Sequence, residues 1–434
     1  MADIYGRAYL TIAGTGSVNA NAGLFNVNHP SEIECTPTQP IPGFPSLFYR
    51  ETITHTQMRI SCLDAKIDVR DVNIEDEAAA GSTAAMIHPV LYPLLDRSWT
   101  FQEHLLSPRI IQFTQKEIVW ECSRETWCCC TKGSHLWRGR KHFAAALLSP
   151  NRPLPDHSPN YLGSPALYEV WRDLVVRYTS KKLAFDKDRL AALSGVARRA
   201  QPVLGSTYLA GLWSGDLLMG LCWFVANRFT NCDPLDLWAS LGYHSEDGDD
   251  HDPSLSARRP IEYRAPSWSW ASVEGGIAWV GSAPQPGNFI IHDYKCVLSN
   301  EDPTGCVESG YLDIECKVVK CQYVGFYNGI HHRVGHGSLW EMFDADVPYQ
   351  MPPYDSTLSL GQTVYCVAIG DSSQVYRLEG TPILILRKKQ HEPRLYERVG
   401  LSRNIGGYPS GPNPDPKLWA TLFETASWRR LLIV

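Results

Sequence analysis

The spacing of apolar residues changes along this chain, and each change marks a different kind of element. From Met1 to about Gln115, short apolar runs alternate with short helical stretches. Ala8 to Ala13 predicts a strand, and Ile41 to Thr54 a Pro- and Gly-interrupted loop running into another. Ile110 to Phe113 and Glu117 to Cys122 predict a hairpin, preceded by a helix over Arg97 to Leu106. On that helix Trp99 and Glu103 are four apart and share a face. Residues 132–163 are rich in Pro, Ser, Asn and Gly, with one small helix at His142 to Leu148, and read as a linker.

Beyond the linker the period becomes helical. Ser164 caps a helix with Pro165 in its first turn, and Leu167, Val170, Trp171, Leu174, Val175 and Tyr178 recur on one face. Asp186 caps a second helix with Leu190, Leu193 and Ala197 on one stripe, and Gly215 to Phe224 predicts a third, more buried one. Residues 243–258 are acidic and almost without apolar side chains, the signature of a surface loop. After Ile261 the chain turns β-rich. Strands are expected at Tyr311 to Tyr327, Gln362 to Ile369, Val375 to Leu378, Thr381 to Arg387, Tyr396 to Leu401 and Leu431 to Val434, closing as an antiparallel sheet or barrel-like sandwich. The expected divisions are 1–131, a linker at 132–163, a helical region at 164–260 and a β-rich region at 261–434, an α+β chain overall.

Composition narrows the function classes. A chain of 434 residues exceeds one compact core, and 44% hydrophobic with 20% charged residues describes an ordinary globular protein. The net charge of -6 argues against a general affinity for nucleic acid, and Lys132, Arg138, Arg140 and Lys141 read as a solvated loop. The longest apolar run, Leu217 to Ala226, is about half the roughly 20 residues that a membrane span needs. No secretory pattern opens the chain, and 13 cysteines without one predict reduced thiols and a cytoplasmic location. Cys122, Cys128, Cys129, Cys130, His135 and His142 lie close together, but their spacing fits no usual zinc pattern, so free thiols are expected and no metal.

The segment Arg97-Ser98-Trp99-Thr100-Phe101-Gln102-Glu103-His104-Leu105-Leu106-Ser107 resembles the third signature block of the fungal heterokaryon-incompatibility (HET) domain, departing from it by Phe101. Met1 to Ala13 with Gly23-Leu24-Phe25 looks like the end of that family's second block, which implies a HET domain lacking its N-terminal part. Four further stretches are similar to motifs found downstream in many fungal members. They are Trp171 to Tyr178, Phe185 to Gly195, Tyr208 to Trp213, and Arg264-Ala265-Pro266-Ser267-Trp268-Ser269-Trp270-Ala271-Ser272. The resemblance implies an α/β, TIR-like first region. It also implies a role in self/non-self recognition through a protein partner or self-association that ends in cell death, with a shortened copy inactive or regulatory.

An enzyme is the alternative: a TIR-like NAD hydrolase using Glu103, or a pathway enzyme of fungal secondary metabolism acting on an apolar small molecule. On that reading Glu103 is the acid/base group and Arg97 holds an anionic group bidentately, with Trp99 and Gln102 beside them. The plainer alternative is a buried Arg97–Glu103 ion pair fixing the helix while Trp99 fills the core. Trp268 and Trp270 alternate with serines, which predicts a strand presenting both rings on one face, either to the core or to a ligand. Asp186, Asp188 and Arg189 read as a helix cap with a nearby ion pair. The chain has no glycine-rich phosphate loop, no His-Glu-x-x-His helix and no Gly-x-Ser-x-Gly elbow, so no cofactor is expected.

Overall fold

A computed structural model describes residues 1–24, 33–35, 47–49, 93–114, 118–123, 126–128, 147–148, 164–225, 258–280, 284, 287, 289–327, 331–337, 339–346, 358–371, 381–402 and 416–434. The architecture is α+β, in two units: Met1–Leu183 with Gly195–Leu204, and Ala184–Ser194 with Gly205–Val434. The linker expected at 132–163 lies almost wholly outside the described residues, and the helix after it belongs to the first unit.

The first unit is built on a four-stranded sheet in the order β1 (Thr11–Ala13), β4 (Arg109–Phe113), β5 (Ile118–Cys122), β6 (Thr126–Cys128). β1 runs parallel to β4, and the rest is antiparallel. The expected hairpin is therefore present. β2 (Ile33–Cys35) and β3 (Leu47–Tyr49) form a separate antiparallel pair. Helix α1 (Ala2–Arg7) precedes β1, α2 (Ser98–Leu106) precedes β4, and α3 (Ser164–Thr179) buries Trp171, Leu174, Val175 and Tyr178, four of the six positions the sequence stripe named. Helix α4 (Ala191–Leu204) buries Leu193 and Ala197 completely. Asp186 does not cap it. A 3-10 turn over Asp186–Arg189 intervenes, entered at Phe185 without a side-chain cap.

The second unit closes a barrel. Strand β12 (Val307–Tyr327), at 21 residues, pairs through its second half with β13 (His331–His336) on one side and β15 (Thr363–Ala368) on the other. The ring continues through β14 (Leu339–Ala345), β17 (Leu395–Ser402) and β16 (Ile383–Lys388) back to β15. Inward-pointing residues alternate along these strands as the pleat requires: Val319, Cys321 and Tyr323 on β12, Val364 and Cys366 on β15, Ile383 and Ile385 on β16. Helix α6 (Pro416–Thr425) adds Trp419 and Phe423, one turn apart, to that core. The long strand survives the closure by bending at a register shift between Tyr323 and Gly325, where Gly325 takes φ 102°. The first half of β12 carries β11 (Phe289–Leu298) and β18 (Trp428–Ile433).

Two expectations for this unit are corrected. Gly215 to Phe224 is not one helix. A 3-10 turn leads into the single-turn helix α5 (Leu217–Gly220), and the apolar run then extends into β9 (Trp223–Val225), paired with β10 (Ile277–Trp279). A short run that is apolar on all sides carries no period to tell helix from strand, and aromatic and β-branched side chains favour the strand. Residues 267–270 are not a strand either: Ser269 caps a 3-10 turn over Trp270–Ser272, its hydroxyl accepting from the Ala271 N–H at 3.0 Å. The strand expected at Val375 to Leu378 and the loop at 243–258 lie outside the described residues, apart from Arg258.

Where β9 passes beneath β17, a charge is fully enclosed. Arg398 has no exposed surface and pairs with Asp346, also buried, at 3.1 and 3.2 Å. Its remaining N–H groups donate to the Leu221 carbonyl at 2.7 Å and to the Trp223 carbonyl, and its guanidinium lies 3.5 Å from the centre of the Trp223 ring. Burial pulls this arginine below its ordinary pKa while Asp346 pushes it back up. The pair is tolerated because each polar direction is answered.

Candidate functional site

Helix α2 carries Trp99, Gln102 and Glu103, and its two ends explain its bounds. The Ser98 N–H donates to the Lys182 carbonyl at 2.9 Å, replacing a side-chain cap that Arg97 does not provide. At the other end the Ser107 hydroxyl donates to the Glu103 carbonyl at 2.7 Å and meets Thr11 Oγ1 at 2.7 Å, tying the helix exit to β1 before Pro108 ends it.

Each face of the helix has a separate task. Phe101 is buried against Tyr178 of α3, ring centroids 5.8 Å apart. Gln102, with no exposed surface, turns its Oε1 to the backbone N–H of Gly195 in α4 at 3.0 Å. Only glycine leaves room for it, since a Cβ at residue 195 would lie 2.7 Å from that oxygen. The Gly195 N–H fixes which way the amide points, because a flipped amide would set donor against donor, and Gln102 Nε2 is buried without a hydrogen-bond partner among the described residues. His104 faces the sheet. Trp99 and Glu103 share the remaining face, both partly exposed, as their spacing requires.

Arg97 is exposed and makes no ion-pair contact with Glu103 among the described residues, so the buried ion pair is not what holds this helix. Instead the Tyr5 hydroxyl of α1 is the neighbour that favours the charged form of the Glu103 carboxylate. Burial holds this carboxyl above its ordinary value, with the Tyr5 hydrogen bond and the Arg97 charge opposing the rise. The Tyr5 phenol is raised in turn, by burial and by the negative charge beside it. What the arrangement offers chemically is a half-buried carboxyl that releases its proton at a higher pH than a solvated one, beside an exposed cation.

A polar cluster that the sequence reading did not single out lies directly beneath. His104 Nε2 meets Glu121 Oε2 of β5 at 2.7 Å, Gln112 Nε2 of β4 donates to the same oxygen at 3.3 Å, and Thr15 Oγ1 donates to Gln112 Oε1 at 3.3 Å. All four are buried. Register explains the meeting: Ile110 lies opposite Glu121 and Gln112 opposite Val119, so Gln112 and Glu121 are diagonal neighbours on the inner face. The sequence signal was one polar residue at an inward position of each predicted strand, Gln112 and Glu121, but the register that joins them is not written locally.

Trp268 and Trp270 belong to the second unit and have no exposed surface. The Trp270 indole N–H donates to the Gly211 carbonyl at 3.0 Å, the Ser269 hydroxyl to the Ala210 carbonyl at 2.5 Å, and the Trp223 indole to the Trp268 carbonyl at 2.9 Å. Ala210 and Gly211 form the two-residue turn between β7 (Tyr208–Leu209) and β8 (Leu212–Trp213), with φ of 46° and 101°. An alanine in the left-handed region is strained, and these two bonds hold it there. The Arg189 guanidinium sits 5.6 Å from the Trp270 ring and donates to the Gly275 carbonyl at 2.7 Å. Arg264 donates to the carbonyls of Ala271 and Asp186. Arg189 thus anchors a turn.

Among the described residues no group of three or more His, Cys, Asp and Glu side chains is placed to hold a metal ion, and no helix is long and apolar enough to cross a membrane. Cys122 forms no disulfide among the described residues and is partly buried; Cys129, Cys130, His135 and His142 lie outside the described residues. No family model matches the chain, and no curated protein or solved structure registers as similar to it.

Proposed function

We propose that this chain is a cytoplasmic recognition module of the heterokaryon-incompatibility type, in which a protein partner or further copies of the chain drive an assembly that triggers fungal cell death. The observation carrying the reading is the joint between Gln102 and Gly195. Gln102 comes from the signature block and Gly195 from a downstream stretch similar to motifs of the same proteins, and their contact gives the two stretches a reason to occur in one chain. The serine, glutamine and histidine of the block are enclosed as parts of a scaffold, and a scaffold is what a protein-binding module requires.

One observation favours a second, enzymatic reading. Glu103 keeps a raised pKa and partial exposure beside Arg97, the combination a general acid or base needs. On this reading the substrate is a dinucleotide such as NAD or an apolar metabolite, and Glu103 transfers the proton.

Induced expression of the full chain in a filamentous fungus, scored by vital-dye uptake, tests both when paired with Glu103→Gln. The recognition reading expects cell death from both forms. Death abolished by Glu103→Gln, together with loss of NAD or a metabolite from the same cells, would overturn it in favour of the enzyme, and no death from either form would overturn it as well.

A further inference from the structure

Within the second unit, Asp186, Arg258, Arg264 and Glu274 meet in one cluster. Arg258 Nε donates to Glu274 Oε2, and Arg258 Nη2 lies 3.8 Å from Asp186 Oδ2, so one guanidinium serves two carboxylates. Arg264 Nη1 stands 3.8 Å from Glu274 Oε1 and donates to the Asp186 carbonyl at 3.0 Å. Glu274 Oε1 is enclosed and, among the described residues, accepts no hydrogen bond. Asp186 is the more open of the two acids, its side chain 48% exposed against 18% for Glu274. An ionised Glu274 therefore keeps one carboxylate oxygen away from water with no donor in hydrogen-bond reach. A proton on Oε1 turns that oxygen into a donor, and the neighbouring Asp186 supplies the acceptor.

What the cluster fastens is the arm 258–264. The Glu274 N–H donates to the Arg258 carbonyl at 2.7 Å, so main chain and side chain join at the same two residues. Elsewhere on the arm, Arg259 donates to the Arg398 carbonyl at 2.6 Å and lies 3.5 Å from Asp346, and Arg264 Nε donates to the Ala271 carbonyl at 2.6 Å. Between these anchors Ile261 is 88% and Tyr263 56% exposed. Apolar burial thus holds little of the arm, and its polar anchors decide how often it opens.

We infer that Glu274 and Asp186 form a proton-locked clasp, in which a proton taken from solvent onto Glu274 Oε1 is shared with Asp186 and closes the arm 258–264 onto the turn that begins at Glu274. Burial, and after it the neighbouring Asp186, raises Glu274 above its ordinary value, with Arg258 opposing the rise. A raised proton affinity in the closed state makes closure complete in acid and weakens it as pH rises through the raised value. Above that value two negative carboxylates crowd Arg258, and opening lets water reach the enclosed oxygen. Of the other charged groups on the same elements, Arg189 donates to the Gly275 carbonyl at 2.7 Å, Lys187 and Asp188 act on Cys306, and Glu262 is exposed. The clasp is a pH-sensitive device of the second unit and rests on neither functional reading.

The test is hydrogen exchange by mass spectrometry on the full chain from about pH 4 to 8, comparing variants with the parent at each pH so that intrinsic exchange rates cancel. The variants are Glu274→Gln, which imitates the protonated acid, Asp186→Asn, and the two together. At pH 7.5 Glu274→Gln should slow exchange in peptides covering 258–276 roughly three- to tenfold, and the difference should vanish toward pH 4. Asp186→Asn should slow it as well, because it removes the same crowding, and the double variant should gain nothing beyond either single one. Faster or unchanged exchange in Glu274→Gln at pH 7.5 overturns the inference, since the charged carboxylate would then be what holds the arm. So does a slowing that persists undiminished at pH 4, or two substitutions whose effects simply add. Peptides covering 383–402 report whether the barrel stays folded; if Glu274→Gln disturbs them, Asp186→Asn at the same pH values decides by the same criteria.

Discussion

Replacing Gly195 by alanine sets two physical terms of similar size against each other at the joint between α2 and α4. Alanine inside a helix is favoured over glycine by about 0.8–1.0 kcal/mol. Against this, the new Cβ would lie 2.7 Å from Gln102 Oε1, 3.1 Å from Leu106 Cδ1 and 3.4 Å from the Ala2 Cβ. Gln102 is wholly buried, so its amide has no solvent to swing into. Overpacking of this kind costs about 1–3 kcal/mol, and losing the bond to the Gly195 N–H costs about 1 kcal/mol more. The net expectation is a loss of about 1–3 kcal/mol. In a Gln102→Ala background the clashing oxygen is gone while the helical preference remains, so the same substitution should stabilise by about 0.5–1 kcal/mol. Hydrogen exchange by mass spectrometry on peptides covering 98–107 and 191–204 is the suitable assay, because a chain of two units need not unfold in one step. Exchange through the shared opening should quicken roughly 5- to 150-fold in Gly195→Ala and slow in the double variant relative to Gln102→Ala. An equal effect of Gly195→Ala in both backgrounds would refute the account of why glycine stands there.

Three other expectations follow from the same geometry. Arg398→Met removes the nearer of two arginines that face the buried Asp346, Arg259 lying 3.5 Å away, and should cost about 3–5 kcal/mol in urea unfolding followed by tryptophan fluorescence; a cost under 1 kcal/mol would contradict the enclosed pair. Gly211→Ala forces a Cβ to 2.5 Å from the Trp270 ring at a φ of 101°, and should destabilise the second unit by roughly 2–4 kcal/mol, read as a lowered melting temperature. Because burial raises the Glu103 pKa, the protonated form is the one the fold favours: stability from this group is complete below about pH 4 and is lost as pH rises through the raised value. Glu103→Gln should therefore melt higher than the parent at pH 7 and no differently at pH 3.5, and a variant less stable at pH 7 would show that the Tyr5 and Arg97 interactions outweigh burial.

What could be read from sequence, and what could not, divides by the range of the interaction. The stripe from Trp171 to Tyr178 was legible because a helix repeats its core contact every third or fourth residue. The strands at Thr363–Ala368, Ile383–Lys388 and Leu395–Ser402 were legible as short apolar runs between turn residues. Strand β11 was not, because His292, Asp293, Tyr294 and Lys295 place mixed residues on both of its faces, as an edge strand permits. Helix α6 was hidden behind a proline-rich approach, although Pro416 at its first position is itself a start signal. Trp268 and Trp270 misled because alternation imitates a strand when the actual cause is a serine-capped turn fastened to a distant hairpin.

The site shows the same division more sharply. The pairing of Trp99 and Glu103 on one face needed only helical periodicity. Tyr5 acting on the Glu103 carboxylate, Gln102 meeting Gly195, and His104 meeting Glu121 each join residues that sequence order leaves 98, 93 and 17 positions apart. None of these has a local signature. A glycine inside a helical pattern reads only as a cost, and its reason is visible only when the side chain that needs the space is brought to it. An inward glutamate on a strand reads as a misplaced polar residue until register supplies its histidine. The segment from Ser98 to Ser107 is therefore better understood as a set of joints, each residue fitted to a different neighbour. That is why most substitutions in it should be felt first as lost stability of the first unit, with Glu103 the exception because its cost and its exposure leave it free to do something else.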